Sequence, residues 1–170
     1  MTIATFAGGC FWCIESAYAD QLGVLKTVSG YSGGRKKFPS YEEICSEKTG
    51  HYEAVQIYFD ESKISYRTLL QLFWRQIDPT DKSGQFADRG SQYKTAIFYH
   101  DEKQKIAAEK SKKEIAELFD KPILTEILSY KNFYRAEDDH QQYYKKCPLQ
   151  FNRYKNGSGR EFFLKSHFLP

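Results

Sequence analysis

Short strand-like segments alternate with amphipathic helical segments along most of the chain, and this order limits the fold more than any other feature of the sequence. The hydrophobic patterns predict strands at residues 2–7, 24–31, 52–59, 93–99 and 123–129. They predict helices at residues 10–19, 41–46, 66–77, 101–119 and 137–146. The first four strands, with the helices between them, follow the order of a split β-α-β-β-α-β unit.

We therefore expect a single α+β domain with a ferredoxin-like split β-α-β core, in which helices pack on a mixed, largely antiparallel sheet. A doubly wound parallel sheet is the alternative. The composition suits one globular domain, because 41% of the 170 residues are hydrophobic and 28% are charged. This balance excludes a disordered chain, a collagen-like chain and a coiled-coil rod.

The charge balance and the apolar segments bear on partners and location. A net charge of +3 is too small for a dedicated nucleic-acid binder, which normally has a strong basic patch. The apolar N-terminal segment lacks a basic region and is interrupted by two glycines, so we do not interpret it as a signal peptide. We expect a cytoplasmic protein that binds neither nucleic acid nor membrane, and nothing in the sequence requires more than a monomer.

A Cys-x-x-Cys motif, formed by Cys10 and Cys13, follows the first predicted strand and a Gly8-Gly9 turn and opens the first predicted helix. A thiolate at a helix N-terminus faces unpaired N–H groups and the positive end of the helix dipole, which predicts a lowered pKa for Cys10. Cys13 lies on the same helix face within disulfide reach, as suits a nucleophile and its resolving thiol. The absence of a side chain at Gly9 would let a substrate approach.

A zinc-binding interaction module is the competing interpretation of this motif. It would need a second pair of ligands at metal spacing, which Cys45, Cys147 and the four scattered histidines do not supply. A redox dithiol is therefore favoured. We expect Cys45 to be a buried small hydrophobe, and Cys147 to be either a bystander or a further resolving thiol.

Other candidate residues are ambiguous on pattern alone. Phe11 and Trp12 suit either the core or a small apolar pocket beside Cys10. Glu53 opens a strand and would ordinarily be a surface carboxylate. The long loop at 78–92 has no periodicity, and such a loop is usually functional or disordered.

Several segments together resemble one family, the type A peptide-methionine (S)-S-oxide reductases. They are GGCFWCIE at 8–15, GYSGG at 30–34, PSYEEICSEKTGHYEAVQIYFD at 39–60, FADRGSQYKTAIFY at 86–99 and AEDDHQQYY at 136–144. The segments occur in the family's order over most of residues 4–147, which makes the resemblance far more specific than a lone Cys-x-x-Cys motif. It implies a reductase domain at 1–147, followed by an irregular C-terminal tail of the same domain at 148–170.

The resemblance also implies a reaction and its residues. The substrate would be the S epimer of methionine sulfoxide in peptides or proteins, with the free amino acid as a further candidate. Cys10 would attack the sulfur, Glu53 would protonate the oxygen, Tyr41 and Tyr93 would donate hydrogen bonds to it, Asp88 would support this polar network, and Phe11 and Trp12 would hold the S-methyl group. His140 lies in a family-like HQxY stretch and is assigned no catalytic role.

The sequence departs from the commonest family pattern, GCFWGxE, at Cys13, where that pattern has glycine. Many members use resolving cysteines from a mobile C-terminal tail, and the tail after Cys147 has none. We therefore expect Cys13 to resolve the Cys10 sulfenic acid directly, and thioredoxin or another dithiol to reduce the disulfide, without a cofactor. A thioredoxin-like dithiol–disulfide oxidoreductase is the alternative, but it leaves Glu53, Tyr41 and Tyr93 unexplained.

Overall fold

A six-stranded sheet forms the centre of the molecule in the computed structural model, which describes residues 1–168. In chain order the strands are β1 (Thr2–Gly8), β2 (Val24–Ser32), β3 (Tyr52–Phe59), β4 (Gly84–Gln85), β5 (Asp88–Arg89), β6 (Thr95–Tyr99), β7 (Glu126–Ser129) and β8 (Phe133–Arg135). The sheet order is β7-β6-β1-β3-β2-β8, and β4 pairs with β5 in a separate small hairpin.

Seven α-helices occur within the described residues. They are α1 (Phe11–Tyr18), α2 (Tyr41–Cys45), α3 (Tyr66–Trp74), α4 (Glu102–Ala116), α5 (Tyr143–Lys146), α6 (Pro148–Gly157) and α7 (Arg160–Phe168). Two short 3-10 helices lie at Ser91–Tyr93 and Asp138–His140. No helix of this part of the chain has the length and apolar character needed to cross a membrane.

The predicted α+β fold with a ferredoxin-like core is confirmed. Strands β6, β1, β3 and β2 are neighbours in that order, and each adjacent pair is antiparallel. The sheet is mixed because β7 pairs parallel to β6, after the chain crosses over through α4. The predicted apolar face of α3 is buried against this sheet through Leu69, Leu70, Phe73 and Trp74.

The structure corrects several predicted boundaries. The predicted helix at 137–146 is broken in two because Gln142 adopts a left-handed backbone conformation, with φ of 52°. The predicted strand at 93–99 begins only at Thr95, after the 3-10 helix. The predicted strand at 123–129 begins at Glu126, because the N–H of Leu124 bonds instead to the carbonyl of Pro79 in the long loop.

The prediction of an irregular tail is wrong for residues 148–168, which form α6 and α7. On sequence alone Pro148 favours the end of the helix predicted at 137–146, but it occupies the first turn of α6, where its missing N–H group costs nothing. The joint between the two helices is short, since only Ser158 and Gly159 separate them, and Gly159 supplies a φ of +87°. Residues 169 and 170 of the predicted tail lie outside the described part of the chain.

The long loop at 78–92 is ordered by one buried side chain. Gln85 is fully buried, and its amide accepts a hydrogen bond from the N–H of Asp78 and donates one to the same residue's carbonyl, both at 2.8 Å. This pair of bonds closes the loop and fixes the β4–β5 hairpin. As a result the position of Asp88 is fixed at the start of β5, the second strand of that hairpin.

Candidate active site

Cys10 is the N-cap residue of α1, at the point where β1 turns away from the sheet. Gly9, just before it, has a φ of +82°, which favours glycine. A Cβ atom at this position would lie 2.6 Å from the Cβ of Gln85. In the structure the missing side chain at Gly9 therefore makes room for the buried Gln85 side chain. The contact that explains the glycine is with Gln85 and not with the space expected for a substrate.

A cavity of about 260 Å³ opens beside Cys10. Its lining residues are Cys10, Phe11, Trp12, Tyr41, Glu53, Asp88, Tyr93 and Tyr154. The structure thus brings seven of the eight predicted site residues to one cavity and adds Tyr154. Cys13, the eighth, lies buried one turn along α1 and outside the lining.

Glu53 lies at the start of β3 with a side chain that is only 2% exposed. The N–H of Phe11 donates a hydrogen bond of 3.1 Å to its Oε2 atom, which connects the carboxyl to the first turn of α1. The pKa of Glu53 is raised to about 8, chiefly by burial, with the nearby Asp88 and Cys13 as smaller causes and the hydrogen bond from Phe11 acting against the rise. A carboxyl group of this kind is protonated at neutral pH and can donate its proton.

Tyr41 and Tyr93 reach the cavity from the start of α2 and from the 3-10 helix before β6. Burial raises the pKa of both groups above the ordinary value for tyrosine, so both remain protonated donors at physiological pH. The backbone at Tyr41 is fixed because its N–H donates to the Glu137 carboxylate at 2.9 Å.

An aromatic wall forms the apolar side of the cavity. The indole of Trp12 stacks on Tyr143 with ring centroids 3.9 Å apart, and its N–H donates to Nδ1 of His140 at 3.2 Å. The buried His140 ring also packs against Phe11 and Tyr41. His140, to which the sequence assigned no catalytic role, therefore lies behind the wall and orients Trp12.

Tyr154 is the lining residue that sequence reasoning missed. It projects from α6, and its hydroxyl donates a hydrogen bond to the Asp88 carboxylate. Burial raises the pKa of Asp88, while this hydrogen bond and the charge of Arg160 counteract the rise. The spacing of Phe151, Tyr154 and Ser158 is that of one helix face and could have indicated α6.

The predicted lowering of a thiol pKa falls on Cys13 and not on Cys10. Burial raises the pKa of Cys10, and so do its hydrogen bond to Cys13 and the neighbouring Glu53. The hydrogen bond from Cys10 lowers the pKa of Cys13 to about 7, with Arg160 and Lys155 as further causes. The predicted low pKa of Cys10 is wrong because desolvation outweighs the helix N-terminus, which gives the sulfur no capping hydrogen bond.

The other two cysteines lie apart from this pair. Cys45 is exposed at the end of α2, so the expectation of a buried hydrophobe is wrong. Cys147 is half-buried at the N-cap of α6, beside Tyr143. All four cysteines are free thiols, and within residues 1–168 no three metal-ligating side chains lie together in a way that could hold a metal ion.

The family model for peptide methionine sulfoxide reductase matches residues 2–169 of the chain. The chain belongs to this family. It is 56% identical over 168 residues to peptide methionine sulfoxide reductase MsrA of Bacillus subtilis, and the match covers 98% of this chain and 95% of that protein. This membership supports the reductase interpretation and not the thioredoxin-like alternative.

Solved structures of the yeast protein Mxr1 share the fold. The reduced form from Saccharomyces cerevisiae aligns with a TM-score of 0.83 and 32% identity, over 87% of this chain and 86% of that one. A second structure, of Mxr1 in complex with Trx2, aligns with a TM-score of 0.60 and 24% identity, over 84% of each chain. At this lower identity the second alignment supports the fold alone.

Proposed function

We propose that this member of the family reduces the S epimer of methionine sulfoxide in peptides and proteins, with Cys10 as the nucleophile. The observation that carries the proposal is the composition of the cavity. One cavity of about 260 Å³ is lined by Cys10, by the Glu53 carboxyl group, which is protonated at neutral pH, by two tyrosines and by an aromatic wall. Family membership supports the same reaction.

In the first step the Cys10 sulfur bonds to the sulfoxide sulfur, and its thiol proton moves to Cys13 along their hydrogen bond. Glu53 gives its proton to the sulfoxide oxygen, while Tyr41 and Tyr93 donate hydrogen bonds to it. The S–O bond of the substrate breaks and methionine leaves as the thioether. The transient bond between the two sulfurs also breaks, and the protonated oxygen becomes bonded to the Cys10 sulfur, which is then a sulfenic acid. The substrate sulfur gains two electrons and Cys10 loses two.

In the second step Cys13 resolves the sulfenic acid. Its sulfur attacks the Cys10 sulfur, the S–O bond breaks, and the oxygen leaves as water with the proton that Cys13 gives up. The burial of both thiols side by side supports this pairing, because Cys13 already accepts a hydrogen bond from Cys10. The role of Asp88 is to support the network through Tyr154, and that of Phe11 and Trp12 is to hold the S-methyl group.

A dithiol such as thioredoxin then reduces the disulfide by thiol–disulfide exchange. Yeast Mxr1, which is 32% identical to this chain in the alignment with its reduced form, has been solved in complex with Trx2, and this supports a thioredoxin as the reductant. Reduction by thioredoxin suits the reducing cytoplasm, which we propose as the location. We also propose that the enzyme acts as a monomer, away from membranes and nucleic acid, since one chain supplies all eight residues that line the cavity.

The test is the reduction of separated S and R methionine sulfoxide peptides, with dithiothreitol as the reductant. We expect reduction of the S epimer only, and no reduction by Cys10→Ser protein. Cys147→Ser is the matched control, because it changes a half-buried thiol outside the cavity lining, and dithiothreitol bypasses any recycling role of that thiol. If folded, fully reduced protein converted neither epimer, the proposal would fail and exchange with protein disulfides would become the leading hypothesis.

A further inference from the structure

Arg160 is a buried cation that the reaction above does not use. Its side chain is 1% exposed, at the start of α7. The guanidinium donates hydrogen bonds to the carbonyl oxygens of Gly8, at 3.2 Å, and Gln76. It also lies over the ring of Phe86, 4.8 Å from the centroid.

This charge has no carboxylate partner at salt-bridge distance. The ion pairs found among residues 1–168 do not include Arg160, and its Nε atom is buried without a hydrogen-bond partner. Lys155, the other cation near the thiols, is paired with Glu161 at 3.3 Å. A buried charge is unfavourable unless an opposite charge lies close by, so the surroundings of Arg160 should supply an anion.

The guanidinium lies beneath the turn that leads into Cys10. Its Nη2 atom is 3.1 Å from the point where a Cβ of Gly9 would stand. Several titratable and charged side chains from the surrounding elements interact electrostatically with the Cys13 thiol. They are Cys10, Glu53, Asp88, Tyr154, Lys155 and Arg160. Two groups can be anions that the charge of Arg160 reaches, namely Cys13 and Asp88. Asp88 already accepts a hydrogen bond from Tyr154.

We propose that Arg160 is a positioning residue of the dithiol, a buried counter-charge that holds the Cys13 sulfur as a thiolate. The thiolate is the form that attacks the Cys10 sulfenic acid. In that attack the S–S bond forms, the S–O bond breaks, and the oxygen leaves as water with the proton that Cys13 has released. The consequence of this inference for catalysis rests on the proposed resolving role of Cys13. The test of the inference does not depend on that role.

The test is a titration of Cys13 that uses no sulfoxide. In protein carrying Cys10→Ser, Cys45→Ser and Cys147→Ser, Cys13 is the only thiol, and its ultraviolet thiolate absorbance is followed against pH. The serine at position 10 keeps a hydroxyl that can donate to the Cys13 sulfur. Failure to reduce sulfoxide would contradict the proposed function but would not change this titration midpoint. The proposed function and the proposed role of Arg160 can therefore fail independently.

Three further substitutions in that background separate charge from packing. Arg160→Gln keeps N–H donors without the charge, Arg160→Lys keeps the charge, and Arg153→Gln removes a charge from the exposed face of α6. We expect Arg160→Gln to raise the midpoint by about one pH unit or more, which is roughly a tenfold loss of thiolate below it. Arg160→Lys should raise it much less, and Arg153→Gln should leave it unchanged.

Two results would overturn the proposal. One is an unchanged Cys13 midpoint in Arg160→Gln protein whose circular dichroism shows that it is folded. That result would make Asp88, and not Cys13, the anionic partner of Arg160. The other is an equal rise in Arg160→Gln and Arg160→Lys, which would assign the effect to packing. If Arg160→Gln does not fold, the titration of the triple Cys→Ser protein with Arg160 intact tests the proposal. A Cys13 midpoint at or above about 8.5, the value of a free thiol, would overturn it, because the thiolate would then not be stabilised.

Discussion

Two regions enclose the cavity, and the fold holds them in different ways. On one side, β1, α1 and β3 place Cys10 and Glu53 at the centre of the six-stranded sheet, where strand pairing and the bond from Phe11 fix them. On the other side, α6 and α7 lie outside the sheet. The side chains that they bring near the site are Tyr154 and Lys155 of α6 and Arg160 of α7.

This difference indicates a division of labour. The sheet region supplies the groups that exchange atoms and electrons with the substrate, and small displacements there would misalign the reaction. The C-terminal helices supply a hydroxyl and a charge that act on Asp88 and Cys13. Substitutions in the sheet region should therefore abolish steps of the reaction, whereas substitutions in the helices should change their rates and pH dependence.

The largest contrast is expected between two cysteines, one from each region. Cys13→Ser should still reduce one equivalent of sulfoxide per enzyme, more slowly because serine is a poorer acceptor of the Cys10 proton than the thiolate. It should lose essentially all turnover with thioredoxin, because nothing then resolves Cys10. Cys147→Ser, which changes the thiol at the start of α6, should keep full turnover. Product per enzyme and steady-state rate measure the two effects, and full turnover by Cys13→Ser would move the resolving role to Cys147.

Glu53→Gln should show how strongly the sheet region controls the chemistry. We expect the single-turnover rate to fall by about 10²–10⁴-fold, since general acid catalysis contributes that much. In the unsubstituted enzyme the same rate should decline above about pH 8, where Glu53 loses its proton. A Glu53→Gln enzyme with the parent's rate would remove the proposed acid.

Glu53→Gln should lower the activity but raise the stability of the folded protein at pH 8. Folding raises the pKa of Glu53 from 4.5 to about 8, so the folded parent loses stability as the pH rises through this interval. Glu53→Gln avoids that loss, and we expect it to be more stable than the parent at pH 8 by roughly 2 kcal/mol or more. At pH 4 the two should be nearly equal. Urea unfolding at both pH values measures the difference, and a less stable variant at pH 8 would contradict the buried acid.

The smallest effect is expected from Tyr154→Phe in the C-terminal region. It removes one hydrogen bond to Asp88, which corresponds to about a 2- to 10-fold change in kcat/KM. Tyr58→Phe is the matched control, because that hydroxyl donates to Gln56 outside the cavity. A loss as large as that of Glu53→Gln would place Tyr154 among the reacting groups and end the distinction between the two regions.

The sheet region was predictable because its motifs and periodicity are local. The strand, the glycine turn and the helix at Cys10 follow from residue pattern, while the roles of Glu53 and Tyr41 came from the family resemblance. Pattern alone placed Glu53 on the surface, since a charged residue is seldom buried. Its burial follows from tertiary pairing of β3 with both neighbours, which one segment of sequence does not reveal.

The C-terminal region was not predictable in the same way. Pro148 suggested the end of a helix and not the start of one, and the polar sequence around Arg160 suggested solvent. The pKa of Cys10 was wrong for a related reason, because a helix N-terminus is visible in a sequence and the desolvation of its sulfur is not. Each error came from a long-range contact that outweighed a local preference.

The position of Arg160 near the end of the described chain also bears on biosynthesis. Because translation proceeds from the N-terminus, Cys10 leaves the ribosome well before Tyr154 and Arg160 do. The strands can pair in the nascent chain while the side of the cavity formed by α6 is still missing. A chain paused before residue 160 would carry both thiols but lack the cation beneath them, so the dithiol would reach its full reactivity only when translation of the C-terminal helices is complete.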